Sequence, residues 1–308
     1  MGLARKTAAV QTTTCPICEA DHTRLIQQRR ERGLRFNTVV CLTCGLAYHQ
    51  PPILDQDRQK LEVSPSQWHT GTGITSRQRR KLERRWANQW PLLQPFFQPG
   101  LRVLEIGCSW GLTLHHLQEK GAQVLGVEPD PEQAAHAQRQ GGMRIIQARF
   151  EELDLPGEKF DLIMASHVIE HFPQPLEFLR GAREMAQAQT RLLLETPNIL
   201  APKVSPRRVF SLAHNFYFSP QTLQWLLLKA GWETEKLRVW RRDAFLILAR
   251  PGEPRPPAIP PGAAQEVLRA IARHQYQYYL KLLFIWRKIP WWQKHWMYTL
   301  DPRYGGQG

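Results

Sequence analysis

The chain has 308 residues and 42% hydrophobic content, enough for one large α/β domain with appended pieces or for two domains. It contains no run of about 18 uninterrupted apolar residues, which excludes a membrane-spanning helix, and MGLARKTAAVQTTT lacks the apolar centre of a signal peptide, so a cytoplasmic location is expected. A formal net charge of +14 and a pI near 9.9 call for an anionic partner: nucleic acid, anionic lipid or a phosphorylated substrate.

Residues 15–18 read CPIC and 41–44 read CLTC. Two such pairs, separated by a polar stretch able to form a hairpin, match a zinc ribbon in which Cys15, Cys18, Cys41 and Cys44 hold Zn²⁺ tetrahedrally. Four thiolates leave no open coordination position, so the metal is expected to be structural and to supply folding energy to a segment with little core. The ribbon is assigned to residues 1–50 and a helical connector to 51–98. In the connector, ITSRQRRKLERRWANQW places Leu82, Trp86 and Trp90 on one stripe behind a Ser76 cap, with Arg77, Arg79, Arg80, Lys81, Arg84 and Arg85 on the other face. That pattern predicts a helix packed on the next domain with a solvated basic face; a helix dedicated to nucleic acid is the alternative.

From residue 101, apolar runs alternate with amphipathic segments: LRVLEI, AQVLGVE, MRIIQA, FDLIMA and TRLLLE separated by helices. Repeated βα units predict a parallel sheet covered on both faces, with ligands at the carboxyl ends of the strands. EIGCSWG supplies a glycine turn between strand and helix, where exposed amides favour a polar or anionic group. Glu128 ends the second strand, where a carboxylate can accept from both hydroxyls of a ribose. Cys108 reads as a small loop residue.

The set EIGCSWG, Glu128, FDLIMASHVIEHF and LLLETPN, in this order, resembles the class I S-adenosylmethionine-dependent methyltransferases over roughly residues 76–250. The resemblance implies an α/β, Rossmann-like doubly wound methyltransferase sheet (99–250), carrying an N-terminal zinc ribbon and a C-terminal helical, aromatic-rich extension. It implies Glu105, Gly107, Ser109 and Gly111 around the methionyl part of S-adenosyl-L-methionine, Glu128 on the ribose, and Ala148, Arg149 and Phe150 at the adenine edge. Ser166 and His167 would lie beside the cofactor. If the acceptor is a hydroxyl, a base must take its proton; His214, on the long connection 199–219, is the first candidate, with His167 and His171 behind it.

Residues 251–262, PGEPRPPAIPPG, read as a proline-rich linker, and 263–308 as a basic, aromatic helical tail with Trp286, Trp291, Trp292 and Trp296 among basic residues. That interleaving suits an anionic membrane surface at the inner face of a membrane, or nucleic-acid stacking, or packing on the catalytic domain. A CPxC and CxxCGL ribbon ahead of this domain is similar to bacterial sugar, polysaccharide and secondary-metabolite methyltransferases. The acceptor so implied is a small molecule, a sugar or a lipid-linked glycan. The alternatives are an RNA methyltransferase and a non-enzymatic methyltransferase-like scaffold.

Overall fold

The computed structural model describes residues 14–31, 33–54, 57, 73–240 and 243–288, with the side chains of 240 and 285–288 excepted. The chain runs β1 (Thr23–Glu31), β2 (Leu34–Cys41), β3 (Ala47–His49), α1 (Ser76–Leu93), β4 (Arg102–Ile106), α2 (Leu112–Glu119), β5 (Gln123–Val127), α3 (Pro131–Arg139) and β6 (Arg144–Ile146). It continues β7 (Phe160–Ser166), α4 (Pro175–Glu184), β8 (Ala186–Pro197), α5 (Pro206–Val209), β9 (Phe216–Tyr217), α6 (Pro220–Lys229), β10 (Trp232–Trp240), β11 (Ala244–Pro251) and α7 (Ala263–Lys288).

The larger sheet has seven strands in the order β10-β11-β8-β7-β4-β5-β6. β4 through β8 pair in parallel, whereas β11 is antiparallel to both β8 and β10. Side chains alternate between the faces: Val103, Leu162, Met164 and Leu193 join Leu114, Ala134 and Ala137 from α2 and α3. Leu104, Ile106, Ile163 and Leu194 meet Phe178, Leu179 and Leu226 from α4 and α6. Burial on both faces explains why these strands are almost wholly apolar. The order reverses between β4 and β7, so the crevice beyond their carboxyl ends is the topological switch point.

Helix α1 packs Trp86 and Trp90 into the β4–α2 side of this core, as its apolar stripe predicted. Its cap is Thr75 rather than Ser76: the Thr75 hydroxyl accepts from Gln78 N–H, and the Gln78 side chain accepts from Thr75 N–H. A reciprocal box needs Gln or Glu three residues on, which Thr75 has and Ser76 does not. At the start of α2, Gly111 has φ +74°, and a β-carbon there would stand 2.8 Å from Ala137 Cβ. Gly111→Ala is therefore expected to destabilise the fold by about 1–3 kcal/mol, read as a lower urea midpoint at constant slope.

The N-terminal strands form a second sheet, β1-β2-β3-β9, whose last strand comes from the 199–219 connection. The N-terminal strands are thus stitched to the half that carries the seven-stranded sheet. Arg29 Nη1 donates to Arg207 O and Phe210 O at 2.7 and 2.9 Å, and Lys229 Nζ donates to Pro16 O and Ile17 O at 3.0 and 3.2 Å. Ile17, Leu46 and Tyr48 belong to the same apolar cluster as Leu226 and Trp232. Beyond Pro251, which ends β11, the proline-rich stretch to residue 262 has no regular structure but is tied down, with Arg255 N–H donating to Leu228 O at 3.1 Å and Ile259 packed on the core.

The first half of α7 seats Val267 and Ile271 on Val40, Ala47 and Tyr217. Its second half exposes Tyr276, Tyr279, Leu283 and Phe284. The tryptophans expected at 291, 292 and 296 lie outside the described residues, as does the side chain of Trp286. Among the described residues, no helix is long and apolar enough to cross a membrane.

Candidate active site

The switch-point crevice is lined by strand ends. Glu105, near the end of β4, is 3% exposed, and its Oε2 is buried with no hydrogen-bond partner. Burial, with Glu128 adding repulsion, pushes its carboxyl up to about 8 against the pull of Arg85 and Thr113. A buried carboxylate oxygen lacking a partner is costly, and a cationic ligand group would relieve it.

The turn after β4 holds its shape through positive φ at Gly107, Ser109 and Gly111. At Gly107 a β-carbon would stand 2.5 Å from Val168 Cγ2, so the β4 and β7 loops approach closely only because that residue is glycine. Ser109, at φ +53°, donates its N–H to Glu128 Oε2 at 2.8 Å and its hydroxyl to Gln133 Oε1 at 2.5 Å. Asp130 N–H donates to Glu128 Oε1 at 2.9 Å. Each Glu128 oxygen thus has one backbone donor and keeps acceptor capacity for a hydroxyl. Burial raises the Glu128 carboxyl to about 7 in spite of those two amides. The loop bearing Ala148, Arg149 and Phe150 starts alongside, where Glu128 N–H donates to Ile146 O at 3.1 Å. The Phe150 ring packs against Phe178 and Phe172, with centroids 4.9 and 5.9 Å away.

At the end of β7, Ser166 Oγ accepts from Gln89 Nε2 at 2.8 Å, and Gln89 also donates to Glu195 Oε2 at 2.9 Å. His167 has φ +57°, an uncommon conformation for a residue with a β-carbon, and is held between two buried acids. Its Nδ1 lies 3.5 Å from Glu170 Oε1 and its Nε2 3.4 Å from Glu195 Oε1. Burial and the Arg85 charge disfavour its protonated form, yet Glu170 and Glu195 outweigh them and raise its pKa. Burial opposes charge on the carboxylates too, but the histidines hold Glu170 down to about 2, and His167 with Arg85 holds Glu195 below the usual range.

His171 Nδ1 donates to Ala213 O at 2.6 Å, and its ring meets that of His214 edge-on at 4.8 Å. Glu170, His171 and His214 place ligand atoms within 4.8 Å of one another. His167, Glu195 and His214 line a cavity of about 1380 Å³, walled by α1, the β1 end and the 199–219 connection. The structure therefore gathers all three predicted histidines around Glu170. It also adds residues that the sequence reading did not assign: Arg85, Gln89, Glu170 and Glu195. Arg85 and Gln89 are spaced i, i+4 on the helix that the reading treated as a connector. Glu170 and Glu195 stood in the FDLIMASHVIEHF and LLLETPN segments: Glu195 was an acid inside an otherwise apolar strand, and Glu170 an acid in the short turn after the fourth strand.

Away from this crevice, Cys15 Sγ is 3.4 Å from Cys44 Sγ and Cys18 Sγ is 3.4 Å from Cys41 Sγ, with all four sulfurs within 4.8 Å of one another. Four converging thiols fit a tetrahedral soft-metal centre. Gly45, at φ +80°, lets this knuckle approach α7, where a β-carbon would stand 3.0 Å from Ala264 Cα.

Residues 77–237, from the first turn of α1 into β10, match a family model described as a methyltransferase domain. The chain belongs to this methyltransferase family. The match begins at α1, while the cysteine cluster and α7 lie outside it. The chain is 36% identical over 132 residues to the ubiquinone biosynthesis O-methyltransferase of Azorhizobium caulinodans, covering 41% of this chain and 49% of that one. The counterpart from Ruegeria pomeroyi is 30% identical over 151 residues, 44% of this chain and 60% of that one. The chain thus spans about half the length of the first of these curated relatives. Among solved structures, the PH0226 protein from Pyrococcus horikoshii is alike in fold, with a TM-score of 0.50 and 19% identity over 63% of this chain and 98% of that one.

Proposed function

We propose that this methyltransferase moves a methyl group from S-adenosylmethionine to a hydroxyl of a small-molecule acceptor in a biosynthetic pathway, with a structural Zn²⁺ in the four-cysteine cluster. A sugar hydroxyl, free or lipid-linked, falls within this acceptor class. The observation that carries the reading is the unpartnered Oε2 of the buried Glu105 at the switch point, next to Glu128 and continuous in sequence with a glycine turn at positive φ. Bound there, S-adenosylmethionine would supply an electrophilic methyl on a sulfonium. The curated relatives named as O-methyltransferases support oxygen as the accepting atom.

Glu105 would hold the methionyl ammonium and Glu128 the ribose hydroxyls, while Gly107, Ser109 and Gly111 shape the loop, and Ala148, Arg149 and Phe150 frame the adenine. Ser166 and Gln89 fix the position of Glu195, and Glu195 with Glu170 orients His167. Most of the rate enhancement then comes from positioning, since in-line displacement needs the acceptor oxygen close to the methyl carbon.

Both His167 nitrogens face carboxylates, so that residue positions rather than abstracts. His214 lines the cavity from the connection and is the base in this reading. In His214→Ala, kcat is expected to fall about 10²- to 10⁴-fold and the acid limb of the pH–rate profile to vanish, with S-adenosylmethionine affinity unchanged. Wild-type turnover across pH 5–9 would remove His214 from the mechanism. Calorimetry that finds no S-adenosylmethionine binding to the full chain would remove the function itself.

A further inference from the structure

The basic face of α1 is exposed, as its sequence predicted, and part of it borders a cavity. Arg77, Arg80, Lys81 and Arg84, spaced i, i+3, i+4, i+7, form one row, and that row lines the cavity that reaches His167 and His214. Three acids also line it, and each has a cation of its own: Glu31 pairs with Arg29 at 2.8 Å, Asp243 with Lys203 at 2.6 Å, and Glu195 with Arg85 at 3.7 Å. Arg77, Arg80, Lys81, Arg84 and Arg208 are left with no acidic partner among the described residues, all facing one space. Burial, and after it the nearby Arg85 charge, pull the Lys81 ammonium below its ordinary value, with Glu195 acting in the opposite sense.

Five cations without acidic partners on the wall of one cavity set up a positive field there that favours an anion. Arginine forks match phosphate oxygens two at a time, and a diphosphate spans neighbouring helical turns. The cavity, about 1380 Å³, exceeds what a drug-sized ligand of ordinary dimensions fills, which suits an acceptor that carries a phosphorylated handle as well as its reacting group.

We infer that the acceptor cavity contains an anion subsite, formed by Arg77, Arg80, Lys81, Arg84 and Arg208, that holds a phosphate or diphosphate of the acceptor while its hydroxyl reaches the His214 end. This rests on the methyl-transfer reading and narrows its substrate class to phosphorylated molecules. It also explains why the acceptor wall and the helix that packs beside the donor site are one element: binding the handle fixes the distance from phosphate to reacting oxygen. The source of the diphosphate, a nucleotide or a lipid carrier, is the same chemistry at this wall.

The test is calorimetry on the full chain with inorganic pyrophosphate as probe, with and without S-adenosylhomocysteine, and with UDP and vesicles carrying a polyprenyl diphosphate as parallel arms. Saturable one-to-one binding of pyrophosphate is expected. It should weaken at least about tenfold in Arg77→Gln/Arg80→Gln/Arg84→Gln and less than about twofold in Arg139→Gln/Arg269→Gln/Arg273→Gln, three exposed arginines away from the cavity. Preference for UDP or for the vesicles identifies the soluble or the lipid source. Absence of pyrophosphate binding, or equal weakening in both triple variants, overturns the subsite. So does a short RNA duplex that binds through the first arginine row where pyrophosphate does not. Binding of S-adenosylhomocysteine without pyrophosphate refutes the subsite alone, and the reverse refutes methyl transfer.

Discussion

Replacing Glu105 by Gln is expected to weaken S-adenosylmethionine binding on the order of 100-fold at pH 8, because the buried carboxylate would be the counter-charge of the methionyl ammonium. The pH dependence separates this from a packing effect. In the free protein Glu105 is pushed up to about 8, so at pH 6 it carries a proton that ligand binding must expel. Wild-type affinity should therefore rise with pH up to about 8, then fall as the ligand's own α-amino group loses its proton near that value. Glu105→Gln should keep only the falling limb.

Stability of the free protein should move in the opposite sense. A carboxyl whose pKa is raised by folding contributes stability that is complete below its unfolded value and is lost as pH rises through the folded value. Glu105→Gln, neutral throughout, should gain in melting temperature on wild type between about pH 5 and pH 8, after which the gap stays constant. Equal pH profiles for binding in the two proteins would show that Glu105 does not meet the ammonium.

Stripping the metal with a chelator under reducing conditions, or making Cys41→Ser, should lower the melting temperature by at least about 10 °C and raise the acceptor KM, while leaving S-adenosylmethionine affinity within about threefold. A structural zinc centre is worth on the order of 10 kcal/mol in an isolated finger, comparable with the net stability of a whole domain. The consequence reaches the acceptor side because β3 pairs with β9 and Arg29 holds Arg207 O and Phe210 O, so the ribbon braces the connection that carries His214. The donor side is built on β4, β5 and β7, which the ribbon does not pair with. Unchanged melting with full acceptor affinity after metal removal would show that the cluster does not carry this load.

The proposed donor half of the site was legible because its signals are local. Apolar runs of strand length, glycines at positive φ, an acid at a strand end and paired cysteines each declare themselves within a few residues. Phe150 shows the limit even there: its position was marked for the adenine edge, and the structure shows its ring also packed on Phe172 and Phe178. The acceptor half was much less legible. Gln89 reaches Glu195 across 106 positions, and Asn215 exchanges hydrogen bonds with Ile53 across 162. Periodicity within α1 showed that the helix had a basic face but not what that face looks upon.

By itself, then, the sequence determined the alternating α/β core, the glycine turn with its two acids, and the four thiol donors, since each depends on spacing along the chain. Tertiary structure alone decided that His167 sits between Glu170 and Glu195, that one oxygen of Glu105 is left without a partner, and that the exposed basic row of α1 borders the cavity that reaches His167 and His214. It also decided that the ribbon shares a sheet with the 199–219 connection. Those outcomes depend on which elements the sheet order brings side by side, and contacts between side chains on different elements leave no periodic trace in the sequence.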